Sequence, residues 1–424
     1  MEAGVNQSVI EVRGTSSPTR PARESDAANE TPSSPMVWGM RRTVVSARIW
    51  MHVLGVALRA YGNPLRAAKV VCRLPEVRAR TRKSIPGKYA FSSGRYFLGL
   101  HIPGWPSVAF DRFIIRELDR IDPMLGRPPA LQTAVIAMTR RCPLKCEHCF
   151  EGEVINRHEA LTLGDLQEIV RRVRQRGVAQ LLFSGGEPLQ RFEDLLALTA
   201  AIAGETDVWI LTSGLGLTAD RAERLKRAGL TGVAVSLDHW DASAHDRFRG
   251  VPRMFAAVES AASHARAAGL LVALSLCPTR AFVSADNLRR YAETARRLGA
   301  GFISIFEPKP VGRYSGRDVA LGPARLRLLE QFSEWLNLDP GARALPAVEY
   351  VDWNARSFGC MGAGDRYLYV DTAGALHPCP FCRISGVNVL DHDIDAAITM
   401  LQAAGCQARH HCPGKIATAT LPGG

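Results

Sequence analysis

Three cysteines crowd one short stretch, Thr139–Phe150, where Cys142, Cys146 and Cys149 follow the spacing C-x3-C-x2-C. Thiolates this close on one loop can wrap a single polynuclear metal centre. A 4Fe–4S cube normally takes four cysteines, one per iron. Three protein ligands leave one iron open to something that is not protein. The stretch also holds His148, and three sulfurs with one imidazole would equally satisfy a tetrahedral zinc ion. Five further cysteines, Cys360, Cys379, Cys382, Cys406 and Cys412, gather near the C-terminus, with His410 and His411 beside the last. Cys72 and Cys277 sit in apolar surroundings and read as core thiols.

The elements around the loop alternate in type. Leu131–Thr139 is an apolar, strand-like run that feeds straight into the cysteines. Thr162 and Asp165 form a capping box that opens a helix running to about Gly177. A strand at Val178–Ser184 leads to Gly185-Gly186-Glu187-Pro188, and helix 192–204 follows. Strand 207–212 ends in Thr212-Ser213-Gly214, and helix 218–228 leads to strand 231–237, which carries Ser236 with Asp238 just beyond. Helix 253–268, strand 270–277, helix 285–298 and strand 301–306 complete six strand-then-helix steps. Such alternation predicts an α/β fold with a parallel sheet, and six units suit a partial (β/α)6 barrel better than an eight-unit one. Every polar motif, including Glu307, Lys309 and Arg313 after the sixth strand, follows the C-terminal end of a strand. That edge is where parallel α/β sheets bind ligands.

The 424 residues are 46% apolar with mean hydropathy −0.04, which points to a soluble globular chain with one large domain and smaller parts. Residues 1–35 read as a disordered tail without the apolar core of a secretory signal. A reducing cytoplasmic setting follows, in which clustered cysteines are metal sites rather than disulfides. Residues 36–130 hold 17 Lys or Arg against five Asp or Glu, an excess equal to the net +12 of the whole chain. Such a basic region suits an anionic membrane face, an acidic peptide or a nucleic acid, although no nucleic-acid motif accompanies it. Arg48, His52 and Arg59 interrupt the apolar helix at 41–61, which argues against a bilayer span. That helix and a second one reaching about Lys83 either pack on the main domain or, with Trp50, lie at a membrane surface. A hairpin around Ser93-Gly94, a turn at Ile102–Pro106 and a helix at 108–121 complete the region. Beyond the core at 131–315 come a helical linker at 316–355, a small Cys-rich domain at 356–415 and a tail at 416–424. Runs 366–370 and 375–378 read as a hairpin around Asp371–Gly374.

Residues 131–310 resemble the radical S-adenosylmethionine (radical SAM) enzymes. The cysteine loop matches that family's C-x3-C-x-aromatic-C motif with His148 in the aromatic slot. Gly185–Pro188 matches its GGEP motif, Thr212-Ser213-Gly214 a variant of its Thr-Asn-Gly, and Ser236-Leu237-Asp238 its Ser-x-Asp. The resemblance implies that Cys142, Cys146 and Cys149 hold a 4Fe–4S cluster whose open iron binds S-adenosylmethionine. Gly185, Gly186 and Glu187 would meet the methionine amino group, Ser236 and Asp238 the ribose, and Arg249 the methionine carboxylate. Reductive cleavage of the cofactor would give a 5′-deoxyadenosyl radical that takes a hydrogen from the substrate. The C-terminal pattern around Cys360, Gly374 and Cys379 resembles the start of the SPASM/Twitch extension. It implies one auxiliary 4Fe–4S cluster drawn from Cys360, Cys379, Cys382, Cys406 and Cys412; a structural zinc site is the alternative. Relatives of this kind oxidise, crosslink or mature peptides and cofactor precursors, and take electrons from a low-potential flavodoxin or ferredoxin. An iron–sulfur electron carrier or sensor would need the cysteines but not Glu187, Ser236 or Asp238. A tRNA-modifying radical enzyme fits the basic region but lacks a second catalytic cysteine in a recognisable setting.

Overall fold

Ahead of the cysteine loop, the basic region builds a small sheet flanked by helices. The computed structural model describes residues 35–79, 86–123, 131–358, 362, 364–383 and 387–404. Strand β1 (Met36–Val37) is followed by helices α1 (Gly39–Tyr61) and α2 (Pro64–Ala79), strands β2 (Tyr89–Ser92) and β3 (Arg95–Phe97), and helix α3 (Val108–Ile121). The strands pair antiparallel in the order β1-β2-β3, and the hairpin turns at Ser93-Gly94 as the sequence suggests. Val45, Ile49, Val53 and Val56 of α1 repeat at helical spacing and pack with Val70 of α2 and Phe110, Ile114 and Leu118 of α3. Ser107 caps α3 by accepting from Phe110 N. Ala67, Val70 and Leu74 are the buried side of α2, which turns Cys72 outward; it is exposed and not the core thiol its apolar neighbours suggest. Among the described residues no helix is long and apolar enough to cross a membrane.

The strand–helix alternation then begins with β4 (Thr133–Ala137), α4 (Leu163–Gln175), β5 (Gln180–Ser184), α5 (Phe192–Ile202), β6 (Asp207–Thr212) and α6 (Ala219–Arg227). It continues with β7 (Leu230–Ser236), α7 (Ala242–Arg249), α8 (Met254–Ala267), β8 (Leu271–Leu276), α9 (Ala285–Arg297) and β9 (Phe302–Ile305). The six strands β4–β9 pair parallel and in sequence order, the partial barrel that the pattern predicts. The capping box at Thr162 and Asp165 is formed as read.

Residues 316–355 contain more than helix. After α10 (Gly322–Leu338), β10 (Ala347–Tyr350) pairs parallel to β9, and α11 (Val351–Phe358) follows at once. Past it, β11 (Tyr367–Val370) and β12 (Leu376–His377) form the expected hairpin, and α12 (Ile394–Ala404) comes last among the described elements. β11 also pairs parallel to β4, so the hairpin extends the main sheet to the order β10-β9-β8-β7-β6-β5-β4-β11-β12.

The N-terminal hairpin closes one end of this sheet. Ala90, Phe97 and Leu100 join the inner-face cluster with Leu182, Trp209 and Phe302. Asp207, the first residue of β6, accepts from Arg95 Nη1 at 2.6 Å and from Gly104 N at 2.9 Å. Gln180, the first residue of β5, donates to Leu100 O at 2.8 Å. These contacts all meet the N-terminal ends of the strands, opposite the edge that carries the motifs. Phe97 is 1% exposed, so Phe97→Ala should cost about 3–5 kcal/mol, the usual range for emptying an aromatic site in a core. Urea unfolding of the purified variant measures it, and a loss under about 1 kcal/mol would show that the plug is loosely packed.

Candidate active site

The cysteine loop leaves β4 and is held from several sides. Asn156, in the left-handed region at φ 60°, brackets Cys142 by accepting from its N–H and donating to its carbonyl, both at 2.9 Å. Lys145 N and Glu147 N donate to Arg249 O and Phe248 O at the end of α7. Arg313 N donates to Cys149 O at 3.0 Å, and Arg313 Nη1 to Cys146 O at 3.2 Å. Arg313, a strand-end charge in the sequence, is thus a brace for the loop. Leu144, Cys146 and Met254 form a small apolar cluster against which Cys142 and Cys149 pack. Burial pushes the Cys142 thiol up to about 12 and the Cys149 thiol up to about 11. Thiols so placed must surrender protons to any metal they bind, because thiolate is the ligand.

The GGEP loop lies directly against this one. Gly186 N donates to Thr139 O at 2.7 Å and Glu187 N to Arg141 O at 2.8 Å. Gly185 has φ 125°, where side chains are strained. A Cβ on Gly186 would stand 2.3 Å from Arg141 O and 3.1 Å from Cys142 Cβ. Gly186→Ala must therefore push the two loops apart, at a cost of about 1–3 kcal/mol. Iron bound per chain after anaerobic reconstitution should fall in this variant. Parent-like iron content would show that the contact does not position the cysteines.

Glu187 is 1% exposed and aims at the space between the loops. It accepts from Thr212 Oγ1 at 2.6 Å, Ser213 N at 2.8 Å, Ser213 Oγ at 2.5 Å and Leu189 N at 3.2 Å. Burial raises its carboxyl above the usual range, while these neutral donors pull the other way. Pro188 starts a short 3-10 turn and is buried behind it. Just beyond β7, Asp238 Oδ2 lies 2.5 Å from Arg249 Nη2, and both side chains are under 10% exposed. Asp238 Oδ1 accepts from Cys277 N, and Arg249 Nη1 lies 3.5 Å from Cys146 Sγ. Arg249 is therefore no surface arginine; it ties the Ser-x-Asp strand to the cysteine loop. His148 stacks on Phe248 at 4.8 Å and 20°, and burial lowers it to about 4, so the imidazole is neutral.

These groups share one cavity of about 430 Å³ that runs into the mouth of the barrel. Cys142, Cys146, His148, Cys149, Gly185, Gly186, Glu187, Ser213, Ser236, Asp238 and Arg249 all line it, as does Cys379. Cys277 lines it too, beyond the end of β8, and is not a core thiol. Cys382 is buried one turn from Cys379, whose carbonyl accepts from Cys382 N at 3.2 Å. Cys360, Cys406, Cys412, His410 and His411 lie outside the described residues.

The far wall of the cavity joins Glu307 and Lys309, the charges after the sixth strand, to Asp352, Tyr350, Arg356 and Glu151, which the sequence pattern did not single out. Lys309 Nζ is 2.6 Å from Asp352 Oδ1 and 3.9 Å from Glu307 Oε2. Glu307 also bonds Tyr350 OH at 2.6 Å and pairs with Arg356. Burial raises the Asp352 carboxyl above the usual range, with Lys309 opposing. Glu151, two residues past Cys149, pairs with Arg383 and Tyr369 and is 2% exposed. Asp352, Tyr350 and Arg356 follow from β10 and the helix after it, so recognising that strand was the signal needed to find them.

The donor set fits an iron–sulfur centre with a ligand beside it. Among the described residues no three Cys, His, Asp or Glu side chains converge closely enough to share one metal ion. The loop cysteines instead border one side of the cavity, as thiolates that each hold a different iron require. Next to them, the buried Glu187 carboxylate has only neutral donors, a setting completed by a ligand's cation.

The profile described as the Radical SAM superfamily matches residues 136–298. A PqqA peptide cyclase of Streptomyces rochei is 32% identical over 266 residues, 61% of this chain and 71% of that protein. The chain belongs to the radical SAM superfamily. The PqqA peptide cyclase of Gluconobacter oxydans (strain 621H) is 31% identical over 270 residues, 61% of this chain and 72% of that one. Among solved structures, Streptococcus suis SuiB bound to precursor peptide SuiA superposes with TM-score 0.53 at 16% identity, over 79% of this chain and 78% of that one. Native anSMEcpe with bound AdoMet gives TM-score 0.51 at 17% identity, over 66% of this chain and 88% of that one. The structural likenesses confirm the partial barrel. As a radical SAM enzyme, the protein uses a 4Fe–4S cluster and S-adenosylmethionine.

Proposed function

We propose that this radical SAM enzyme oxidises or crosslinks a peptide. The identity to PqqA peptide cyclases over most of their length carries this reading. Cys142, Cys146 and Cys149 hold the cluster. Gly185, Gly186 and Glu187 receive the methionine amino group, with Thr212 and Ser213 fixing the carboxylate. Ser236 and Asp238 meet the ribose, Arg249 offers its remaining N–H groups to the methionine carboxylate, and His148 packs beside the cofactor. When bound, the cluster and S-adenosylmethionine supply a 5′-deoxyadenosyl radical that abstracts a substrate hydrogen. The peptide occupies the cavity between these residues and the Glu307–Lys309–Asp352 wall. There the Asp352 carboxylate, 2.6 Å from Lys309, accepts the proton that substrate oxidation releases.

Cys379 and Cys382, with partners among Cys360, Cys406 and Cys412, hold an auxiliary 4Fe–4S cluster in residues 356–415. That Cys379 borders the same cavity supports an auxiliary centre within reach of the substrate. The reading further takes the protein as cytoplasmic, with a flavodoxin or ferredoxin as donor.

The test is anaerobic. Reconstituted, reduced protein should convert S-adenosylmethionine to 5′-deoxyadenosine, and Cys146→Ala should not. A short peptide encoded beside the gene should lose two hydrogens by mass when the parent is present. Equal nucleoside formation by both proteins would sink the cofactor assignment; cofactor turnover with no peptide change would sink the substrate class.

A further inference from the structure

Helix α1 has two apolar faces, and among the described residues only one of them is packed. Val45, Ile49, Val53, Val56 and Ala57 are buried against α2 and α3. On the outer side, Met40 (85% exposed), Val44 (55%), Met51 (66%), Leu54 (38%) and Leu58 (40%) face solvent, with Ala47 between them. The positions 40, 44, 47, 51, 54 and 58 step by alternating fours and threes. That is the a/d spacing of a coiled-coil seam, sustained over about 27 Å of helix at 1.5 Å per residue. Large apolar side chains grouped in this way on a water-facing surface mark an interaction site.

The border of the seam carries charge of one sign. Residues 36–75 contain seven Arg or Lys and no Asp or Glu. Arg41 and Arg48 stand seven residues apart along one edge of the seam, and both are exposed. Among the described residues neither meets a carboxylate; their guanidinium groups lie 5.7 Å from the Phe91 ring and 5.5 Å from the Trp105 ring. The cations that flank the stripe are thus held in place and unneutralised.

We infer that this outer face of α1 docks an acidic amphipathic helix of a partner protein. A partner with apolar residues at a and d fills the seam, and carboxylates at its flanking positions, one heptad apart, meet Arg41 and Arg48. A second copy of this chain brings no such carboxylate, because residues 36–75 contain none. A bilayer takes a broad apolar sector and no register, whereas Arg41 and Arg48 on one side and the exposed Thr43 on the other confine this strip to one seam.

The probe is a labelled synthetic peptide of about four heptads with Leu at a and d and Glu at e and g, whose like charges prevent self-pairing. Fluorescence anisotropy with the full-length chain should show saturable binding. It should weaken about tenfold or more in Met51→Lys/Leu54→Lys and in Arg41→Glu/Arg48→Glu, from lost apolar contacts and lost charge pairs respectively. Both variants alter exposed side chains that do not line the cavity and should keep parent-like formation of 5′-deoxyadenosine, which serves as the control for folding. Absent binding, or binding equal in all three proteins, would overturn the inference. So would peptide binding that appears only after residues 1–34 are removed, since the chain's own tail would then be the occupant. Sedimentation as a dimer lost in Met51→Lys/Leu54→Lys would overturn it too, by assigning the face to self-association. Variant-sensitive binding to vesicles of phosphatidylcholine and phosphatidylglycerol, without peptide binding, would overturn it in favour of a membrane.

Discussion

Arg249→Met is expected to destabilise the apoprotein by about 3–5 kcal/mol, because it strands a buried aspartate. Asp238 is 5% exposed, and its closest counter-charge is Arg249 at 2.5 Å. Burial works to raise the Asp238 carboxyl, yet the charge of Arg249 is the chief influence that holds it below the usual range. Removing the guanidinium leaves the burial penalty uncompensated. A double variant, Arg249→Met with Asp238→Leu, should recover much of the loss, since two apolar groups need no partner. Urea unfolding of the single and double variants makes the comparison. A single variant within about 1 kcal/mol of the parent would show that water reaches Asp238 and replaces the arginine. The single variant should also lower iron retention, since it removes the guanidinium whose Nη1 lies 3.5 Å from Cys146 Sγ.

Glu187→Ala should weaken S-adenosylmethionine binding about 10- to 150-fold, the equivalent of one charge-assisted hydrogen bond worth about 1.5–3 kcal/mol. Four donors converge on this carboxylate and none carries charge, so its negative charge is available to a ligand amine. Glu187→Gln separates charge from shape. The amide keeps an acceptor for Thr212 or Ser213 but cannot answer a cation, so it should bind nearly as poorly as the alanine variant. Equilibrium dialysis on cluster-loaded protein reads both. Parent-like affinity in the glutamine variant would refute an ionic contact with the amino group.

The motifs and their order were legible because each sits at a strand end, where a short polar run interrupts apolar periodicity. Cys142, Gly185, Ser213 and Asp238 could be placed on one sheet edge from that rhythm alone, and the structure gathers them around one cavity. Pairing between distant segments was not legible. β10 escaped because Pro346 precedes it as a turn signal and Glu349 interrupts its apolar run, although a proline is tolerated where a strand begins. With β10 went the wall at Tyr350, Asp352 and Arg356. The C-terminal hairpin was visible as local alternation, but its parallel pairing with β4 depends on partners more than 200 residues apart. Arg249 could be singled out as a polar residue but not assigned to Asp238, because α7 does not emerge from the apolar pattern. Cys72 shows the converse error: apolar neighbours in sequence do not reveal which side of a helix faces water.

The hairpin that stops the N-terminal end of the barrel has a topological consequence for traffic. Phe97 and Leu100 turn the barrel into a blind well, with the strand-end motifs around its rim. A long chain cannot thread through a blind well; it can only dip in. Any macromolecular substrate must present a bend or a free end, react there, and withdraw by the way it came. Reaction and release then share one doorway, so an unreacted chain and its product compete for the same opening, and excess substrate should slow the enzyme by obstructing exit.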